Sequence, residues 1–423
     1  MTARPPRGAG SPRVLIAGAG IAGLTAALSL HAAGITDVTV HEAAAELHPL
    51  GVGINILPHA IRELIELGLG DRLAAIGVAT ADLTFLTPRG QRIWSEPRGL
   101  AAGYRWPQYS IHRGRLQMML LEAVRERLGP GAVVLGSPVT GLDHDADLLI
   151  GADGIRSAVR RALFPGEGEP LPGGDVLWRG TTYTKPFMTG RSMLMVGDST
   201  QKLVIYPIAP PSGDGVQLVN WAVQRRADVE GVTTGDWNRP VDVAKVLPHV
   251  RGWHCDELDL PALVASAEQV LEYPLVDRDP LPRWSTETVT LMGDAAHPMY
   301  PTGSNGGTQA IIDARVLAYA LANGLGLEFY EEQRRPLTNN VVLANRGDGP
   351  EVILRLTHER APGGFADIED VMPLAEREEI ALRYKKLAGF EPATLNARRS
   401  WSVGPRTPAD ASTPRDGGRA LSP

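Results

Sequence analysis

The chain has 423 residues, long enough for two or three well-buried domains, and its 43% hydrophobic and 21% charged residues are ordinary for a globular protein. A net charge of −6 argues against nucleic acid or an anionic membrane as the main partner. The single cysteine, Cys255, excludes an intrachain disulfide and zinc-type cysteine spacing, and reads as a small buried hydrophobe.

No apolar run reaches membrane-spanning length; the best one, after Thr308, is broken by Asp313 and Arg315. The first residues lack the apolar core of a signal peptide and read as a disordered tail over 1–12, so a cytoplasmic location is expected. Residues 13–17 then form a short apolar run of the buried-strand kind. It leads into Gly18-Ala19-Gly20-Ile21-Ala22-Gly23, helical periodicity follows over 24–33, and a second strand over 38–41 ends at Glu42. This is G-x-G-x-x-G between strand and helix, with an acidic residue about twenty positions on. Gly18 suits the tight turn, Gly20 lets the backbone approach a pyrophosphate, and Gly23 lets helix and strand pack. Glu42 can accept both hydroxyls of an adenosine ribose. The pattern by itself does not separate NAD from FAD.

Residues 50–55 are glycine-rich and precede a helix expected over 58–67. A hairpin is expected over 83–94, with Pro88-Arg89-Gly90 at its tip. Ile111, His112 and Arg113 open a periodic helix that reaches residue 128. An arginine at a helix start opposes the dipole, so either an anion meets Arg113 there or the side chain is simply solvated. Short strands over 133–135 and 148–150 flank the run Gly151-Ala152-Asp153-Gly154-Ile155-Arg156, another strand end followed by a helix.

From 176 to 273 the pattern turns to strands, over 176–184, 192–196, 202–207 and 216–223, with a more helical insert over 225–264. Trp178, Tyr206 and Trp221 alternate with aliphatics there, as core aromatics do. The stretch 291–314 organises the chain: a strand over 289–292, a loop holding Gly293, Asp294, Pro298, Pro301, Gly303, Gly306 and Gly307, and a helix beginning near Thr308. A glycine pair before a helix admits a ligand to the first turn, where N–H groups lack partners and the dipole favours developing negative charge. Asp294, at a strand end, is placed to accept hydroxyls from a sugar-like chain. His297, before Pro298, reads as a hydrogen-bonded structural histidine rather than a catalytic one. Helices follow over 328–345 and 347–390, the latter broken at Pro362-Gly363-Gly364, and a disordered tail is expected over 401–423.

Three separated motifs, G-A-G-I-A-G, G-A-D-G-I-R-S-A-V-R and G-D-A-A-H-P, stand in that order. As a set they resemble the group A FAD-dependent monooxygenases of the para-hydroxybenzoate hydroxylase type. The runs L-G-V-G-I-N-I-L-P, P-Q-Y-S-I-H-R-G and M-Y-P-T-G-S-N-G resemble the phenazine-modifying branch of that family. The resemblance implies an α/β fold: a Rossmann-like FAD-binding domain, an inserted antiparallel β-sheet substrate domain and a C-terminal helical segment. The FAD domain would be discontinuous, over 13–82, 105–170 and 280–345. The substrate domain would take 83–104 and 171–279, and helices 346–400.

The resemblance also implies site roles. Gly18, Gly20, Ile21, Ala22, Gly23, Glu42 and Ala43 would hold the ADP half of FAD, with main-chain contacts near Val139 and at Gly53. Arg113 would sit near the pyrophosphate. Asp153 and Gly154 belong to a motif serving both FAD and the nicotinamide donor. Gly293 and Asp294 would meet the ribityl chain, and Pro301, Gly306 and Gly307 the isoalloxazine. Tyr206, Met299, Tyr300 and Pro301 are the pocket candidates. No acid–base dyad is obligatory and no metal is implied, because reduced flavin, as its hydroperoxide, performs the oxygen transfer in this family. The implied activity is NADH- or NADPH- and O2-dependent hydroxylation of an aromatic or heteroaromatic small molecule, phenazine-like or an aromatic acid, with or without decarboxylation. An epoxidase, oxidase or reductase on the same scaffold, or a non-catalytic flavin-binding protein, is the alternative. A monomer or homodimer is expected.

Overall fold

A computed structural model describes residues 11–226 and 239–403. The disordered ends expected over 1–12 and 401–423 fall, at 1–10 and 404–423, outside the described residues, as does 227–238 of the expected helical insert. Trp401 itself is buried, its ring edge-on to Tyr319 at 5.3 Å between centroids.

The first apolar run becomes the strand Val14–Ala17, at the centre of a five-stranded sheet. Its order is Val289–Leu291, Leu148–Gly151, Val14–Ala17, Val38–His41, Val133–Val134. Every pairing is parallel. Strands covered on both faces carry continuous rather than alternating apolar residues, which is why two of these read V-L-I-A and L-L-I-G. From the central strand the chain passes first to one side and later to the other. The strand order therefore reverses beside Val14–Ala17, where a crevice opens at the carboxyl ends of the strands. Ala17 pairs with His41 and with Gly151, and Gly151 with Leu291. The residues that follow those positions, Gly18, Glu42, Asp153 and Gly293, are thus delivered to one rim.

The second sheet has eight strands, in the order Arg239–Val241, Val270–Asp277, Leu171–Thr184, Gln217–Arg226, Gln201–Pro207, Ser192–Gly197, Asp82–Leu86, Arg92–Pro97. It is antiparallel except where Ser192–Gly197 runs parallel to Asp82–Leu86, the hairpin contributed from much earlier in the chain. One face buries Trp178, Trp221 and aliphatics against the short helices Leu247–Val250 and Leu260–Ala265. The other carries Leu83, Phe85, Met193, Met195 and Tyr206 toward Ile353, Leu354 and Met372 of the C-terminal segment. The helices Val352–Arg360 and Leu374–Leu387 therefore act as a cover for this face.

Two expectations are corrected. Residues 109–112 are a strand, Tyr109–His112, paired with Gly53–Ile56 and Gly77–Ala79 in a small third sheet. The following helix begins only at Arg113, and the His112 ring caps it by accepting from Arg115 N at 3.4 Å. The helix expected near Thr308 begins at Gly306, so the glycine pair is its first turn rather than the loop before it. Among the described residues no helix is long and apolar enough to cross a membrane.

Candidate active site

The crevice over the parallel sheet is shaped by backbone that tolerates no side chain in some places and leaves space in others. Gly18 has φ +100°, and a Cβ there would lie 2.6 Å from the Ala152 carbonyl oxygen. A Cβ on Gly23 would lie 2.0 Å from the Gly18 carbonyl oxygen, so helix Ile21–Ala32 packs on the turn with no room for a methyl. Gly20 is the opposite case: a Cβ there would meet nothing within 4 Å. It is the N-cap of that helix and no side chain caps the turn, so the first N–H groups of the helix are left without a side-chain acceptor. Glu42 stands beside them, accepting from Ala19 N at 2.8 Å and Ala44 N at 2.9 Å. Each carboxylate oxygen keeps acceptor capacity for a ligand hydroxyl. Ala43 is exposed next to it, and Gly136 N and Ser137 N bond Ala44 O and Glu42 O at 2.9 Å, bringing the segment of Val139 to the same edge.

Asp153 is committed locally. It accepts from Ser157 Oγ at 2.5 Å and from Ala158 N at 2.7 Å, so it caps helix Ala158–Leu163. Burial pushes its carboxyl up, opposed by those hydrogen bonds. Gly154, at φ +80°, is open on its Cβ side. Arg160, 1% exposed, donates to the carbonyls of Ala295 and Ala296 at 3.1 and 2.9 Å and thereby fixes the loop after Asp294. Sequence reasoning noted the motif but missed this tie.

Gly293 turns the strand end at φ +55°, packed against Ala22 and Ala310. Asp294 is solvent-accessible yet sunk in the crevice. Desolvation raises its carboxyl above the ordinary range, while His297 and Arg113 pull it back. The exposed Arg113 thus shares this cleft. Gly306 is open, its virtual Cβ no nearer than 4.0 Å to Asp294 Oδ1 and Met299 Cγ, and its helix too has no side-chain cap. Gly307 instead lies against Ile54, where a Cβ would come within 2.8 Å. Two uncapped helix starts, two open glycines and a carboxylate in a cleft suit a dinucleotide flavin. The pyrophosphate would meet one helix start and the polar edge of the ring the other.

Beneath this loop lies a cavity of about 950 Å³, open mouth included, between the second sheet and the C-terminal helices. Pro301 and Tyr206 are on its wall, with Leu83, Phe85, Met193 and Met195. Met299 and Tyr300 are not on it: Met299 packs near Gly306 against the C-terminal cluster, and the Tyr300 hydroxyl turns to Gly173. Tyr206 abuts Gly53 and is in hydrogen-bonding contact with Arg179; burial pushes its phenol up, which Arg179 opposes. Arg179 donates to Gly53 O at 2.5 Å and has no carboxylate partner among the described residues. The wall carries four cations, Arg98, Arg179, Lys202 and Lys385, against two carboxylates, Glu96 and Glu351.

A buried polar chain underlies the loop. His297 Nε2 is 2.6 Å from Asp313 Oδ2, and Gly293 N donates to the same oxygen at 2.9 Å. Arg334 donates to Asp313 at 2.8 Å and to Gln309 Oε1 at 2.5 Å. Gln309 reaches Asn305 at 3.0 Å, Asn305 reaches the Tyr384 hydroxyl at 2.9 Å, and Tyr384 reaches Asn345 at 2.7 Å. Burial opposes ionisation of Asp313, but His297 and Arg334 outweigh it and hold the carboxyl at about 2. Gln309 and Asp313 stand four residues apart on one face of the helix Gly306–Ala322, but nothing local in the sequence ties them to Tyr384.

A family profile described as FAD binding domain matches residues 130–344. The chain is 45% identical over 394 residues to phenazine 1,6-dicarboxylic acid hydroxylase of Lysobacter antibioticus, covering 86% of this chain and 94% of that one. It is 32% identical to 3-amino-4-hydroxybenzoate 2-monooxygenase of Streptomyces platensis over 416 residues, 92% of this chain and 98% of the relative. Among solved structures, a salicylate hydroxylase substrate complex superposes with a TM-score of 0.69 at 22% identity, covering 94% of this chain and 99% of that one. Klebsiella pneumoniae HpxO with FAD and uric acid gives 0.69 at 24%, covering 90% and 96%. The crevice, the cavity and these likenesses converge: the chain belongs to the FAD-binding-domain family of flavin-dependent aromatic monooxygenases and is an enzyme of that class.

Proposed function

We propose that this enzyme hydroxylates a fused-ring aromatic or heteroaromatic acid, using O2 and NADH or NADPH. The observation that carries the reading is the cavity under the Pro301 loop: apolar on its sheet face, and two positive charges in excess on its wall. A flat apolar ring suits the first feature and a carboxylate the second. The relative from Lysobacter, by its name, acts on such an acid. Where the carboxyl group sits on the attacked carbon, the balance is ArCOO⁻ + O2 + NAD(P)H + two H⁺ → ArOH + CO2 + NAD(P)⁺ + H2O.

Bound in the crevice, FAD supplies the passage of electrons from the nicotinamide to O2 and the electrophilic oxygen delivered to the ring. The chain supplies position and field. Gly18, Gly20, Ile21, Ala22 and Gly23 hold the pyrophosphate. Glu42, Ala43 and Val139 hold the adenosine end, Arg113, Asp153 and Gly154 border the middle, and Gly293 and Asp294 take the ribityl hydroxyls. The N–H groups of Gly306 and Gly307 stabilise negative charge on the ring edge, a dipole already oriented before reaction. Pro301 borders the ring and the substrate at once, and the cover of C-terminal helices keeps water from the cavity. Arg179 takes the substrate carboxylate, steadied by Tyr206.

The test is a panel of aromatic acids scored for stimulated NAD(P)H oxidation and for incorporation of ¹⁸O from labelled O2 into product. Arg179→Met is expected to weaken acid binding about ten- to a hundredfold, the worth of a hydrogen bond to a charge. Peroxide formation with no labelled product for any acid would refute the reading.

A further inference from the structure

The charged groups on the cavity wall are not evenly balanced. Lys202 and Glu351 pair one to one, and the second Glu351 oxygen accepts from Gly303 N at 3.1 Å. Arg179 stands alone on the strand Leu171–Thr184. The third group is a triad: Glu96 on the strand Arg92–Pro97 lies 2.6 Å from both Arg98 Nη2 and Lys385 Nζ. Glu96 is 3% exposed, and the side chains of Arg98 and Lys385 are 14% and 16% exposed. Two cations thus share one buried carboxylate, and the buried Arg98 Nε has no partner. A net positive charge held away from water is costly until an anion joins it.

We propose that Glu96, Arg98 and Lys385 form a second anion subsite, so that the pocket takes a fused-ring aromatic acid bearing an anionic group at each end. The inference rests on the aromatic-acid reading above and deepens it. The two positive poles stand apart, because four strands separate Leu171–Thr184 from Arg92–Pro97. Strands lie about 4.8 Å from one another, so the two strands run roughly 24 Å apart, a span that the side chains reaching in from each and an elongated ligand share. One pole, Arg179, lines the same cavity as Pro301 and sets the carboxylate toward the flavin side. The other, on the outer hairpin and the helix Leu374–Leu387, fixes the far end of the ring system. The plainer alternative is a strut: the triad ties helix to hairpin and does nothing for ligands.

The experiment measures binding of phenazine-1,6-dicarboxylate and phenazine-1-carboxylate to the FAD-loaded protein by calorimetry, in the native chain, Lys385→Met and Lys385→Arg. The expected result is a native preference for the dicarboxylate of at least about tenfold, the scale of a charge-assisted contact. That preference collapses in Lys385→Met and persists in Lys385→Arg. A strut predicts that both ligands weaken together and the ratio holds; that outcome, or no native preference, overturns the subsite while leaving the aromatic-acid reading intact. If the native protein binds neither acid, the reading itself fails and the subsite falls with it.

Discussion

The crevice over the parallel sheet and the cavity under the antiparallel sheet meet at the loop 301–307, yet they are built in opposite ways. The crevice is mostly backbone: glycines at fixed spacing, bare helix starts and one or two carboxylates at strand ends. The cavity is mostly side chain, drawn from strands and helices hundreds of residues apart, as where Lys385 meets Glu96. A backbone site suits a ligand that does not change from one relative to the next. A side-chain site can be re-lined without touching the fold, which is how one scaffold serves many substrates.

That contrast can be broken most severely at Gly23. A methyl there must displace the Gly18 carbonyl from 2.0 Å, and backbone on both sides has nowhere to go. Gly23→Ala should give protein that purifies without yellow colour, or does not fold. Gly20→Ala, with nothing within 4 Å, should fold normally and lose only FAD affinity, read by thermal melting and flavin fluorescence. If the two variants behave alike, the division between packed and open glycines is wrong.

Next in size is Asp313, on which His297, Gly293 and Arg334 converge. Asp313→Asn leaves Arg334 buried without its counter-charge and should cost on the order of 3–5 kcal/mol. The pH dependence has a definite sign. The folded carboxyl is held at about 2, below its ordinary 3.8, so its contribution is full above pH 4. It is lost as pH falls toward 2, a loss on the order of 2 kcal/mol. Denaturant melts of the native chain and Asp313→Asn across pH 2–6 check this, because the slope due to Asp313 must vanish in the variant.

What could be read from the chain alone follows the same divide. The motifs at Gly18, Glu42 and Gly293 were legible because each is a short pattern with a mechanical meaning, and parallel registry then gathers them unaided. Tyr206 and Pro301, picked by position on a strand and a loop, both lie on the cavity wall. Met299 and Tyr300 lie off the cavity wall, because adjacency to Pro301 says nothing about which way a loop residue points. Ile111 and His112 were read as the opening of a helix because they run into a periodic stretch, and the pairing partners of the strand Tyr109–His112 lie thirty or more residues away. Arg179, Glu96, Arg98, Lys385 and Tyr384 carry no local signature at all. The roles proposed for them rest on contacts that sequence spacing does not encode.

Tyr384 tests whether the C-terminal helices belong to the site. Its hydroxyl lies against Gly303, where a Cβ would come within 2.3 Å, and it joins Asn305 to Asn345. Tyr384→Phe should strand one N–H of Asn305 and the Oδ1 of Asn345, costing about 1–3 kcal/mol. The loop should also loosen, seen as a shifted flavin spectrum and more peroxide per NAD(P)H consumed. A drop in melting temperature with an unchanged spectrum would make Tyr384 a packing residue only.

The smallest expected effect is at Tyr206. The phenol touches Arg179 and Gly53, and under the proposed function the cation, not the phenol, neutralises the substrate carboxylate. Tyr206→Phe keeps the ring on the cavity wall and removes one neutral hydrogen bond, worth about 0.5–1.5 kcal/mol. Acid affinity should therefore fall only about two- to tenfold, against the larger loss in Arg179→Met, with FAD affinity unchanged. Combining the two substitutions separates steadying from direct contact. If Tyr206 works through Arg179, the double variant binds the acid no worse than Arg179→Met alone; if the phenol meets the ligand itself, the two losses add.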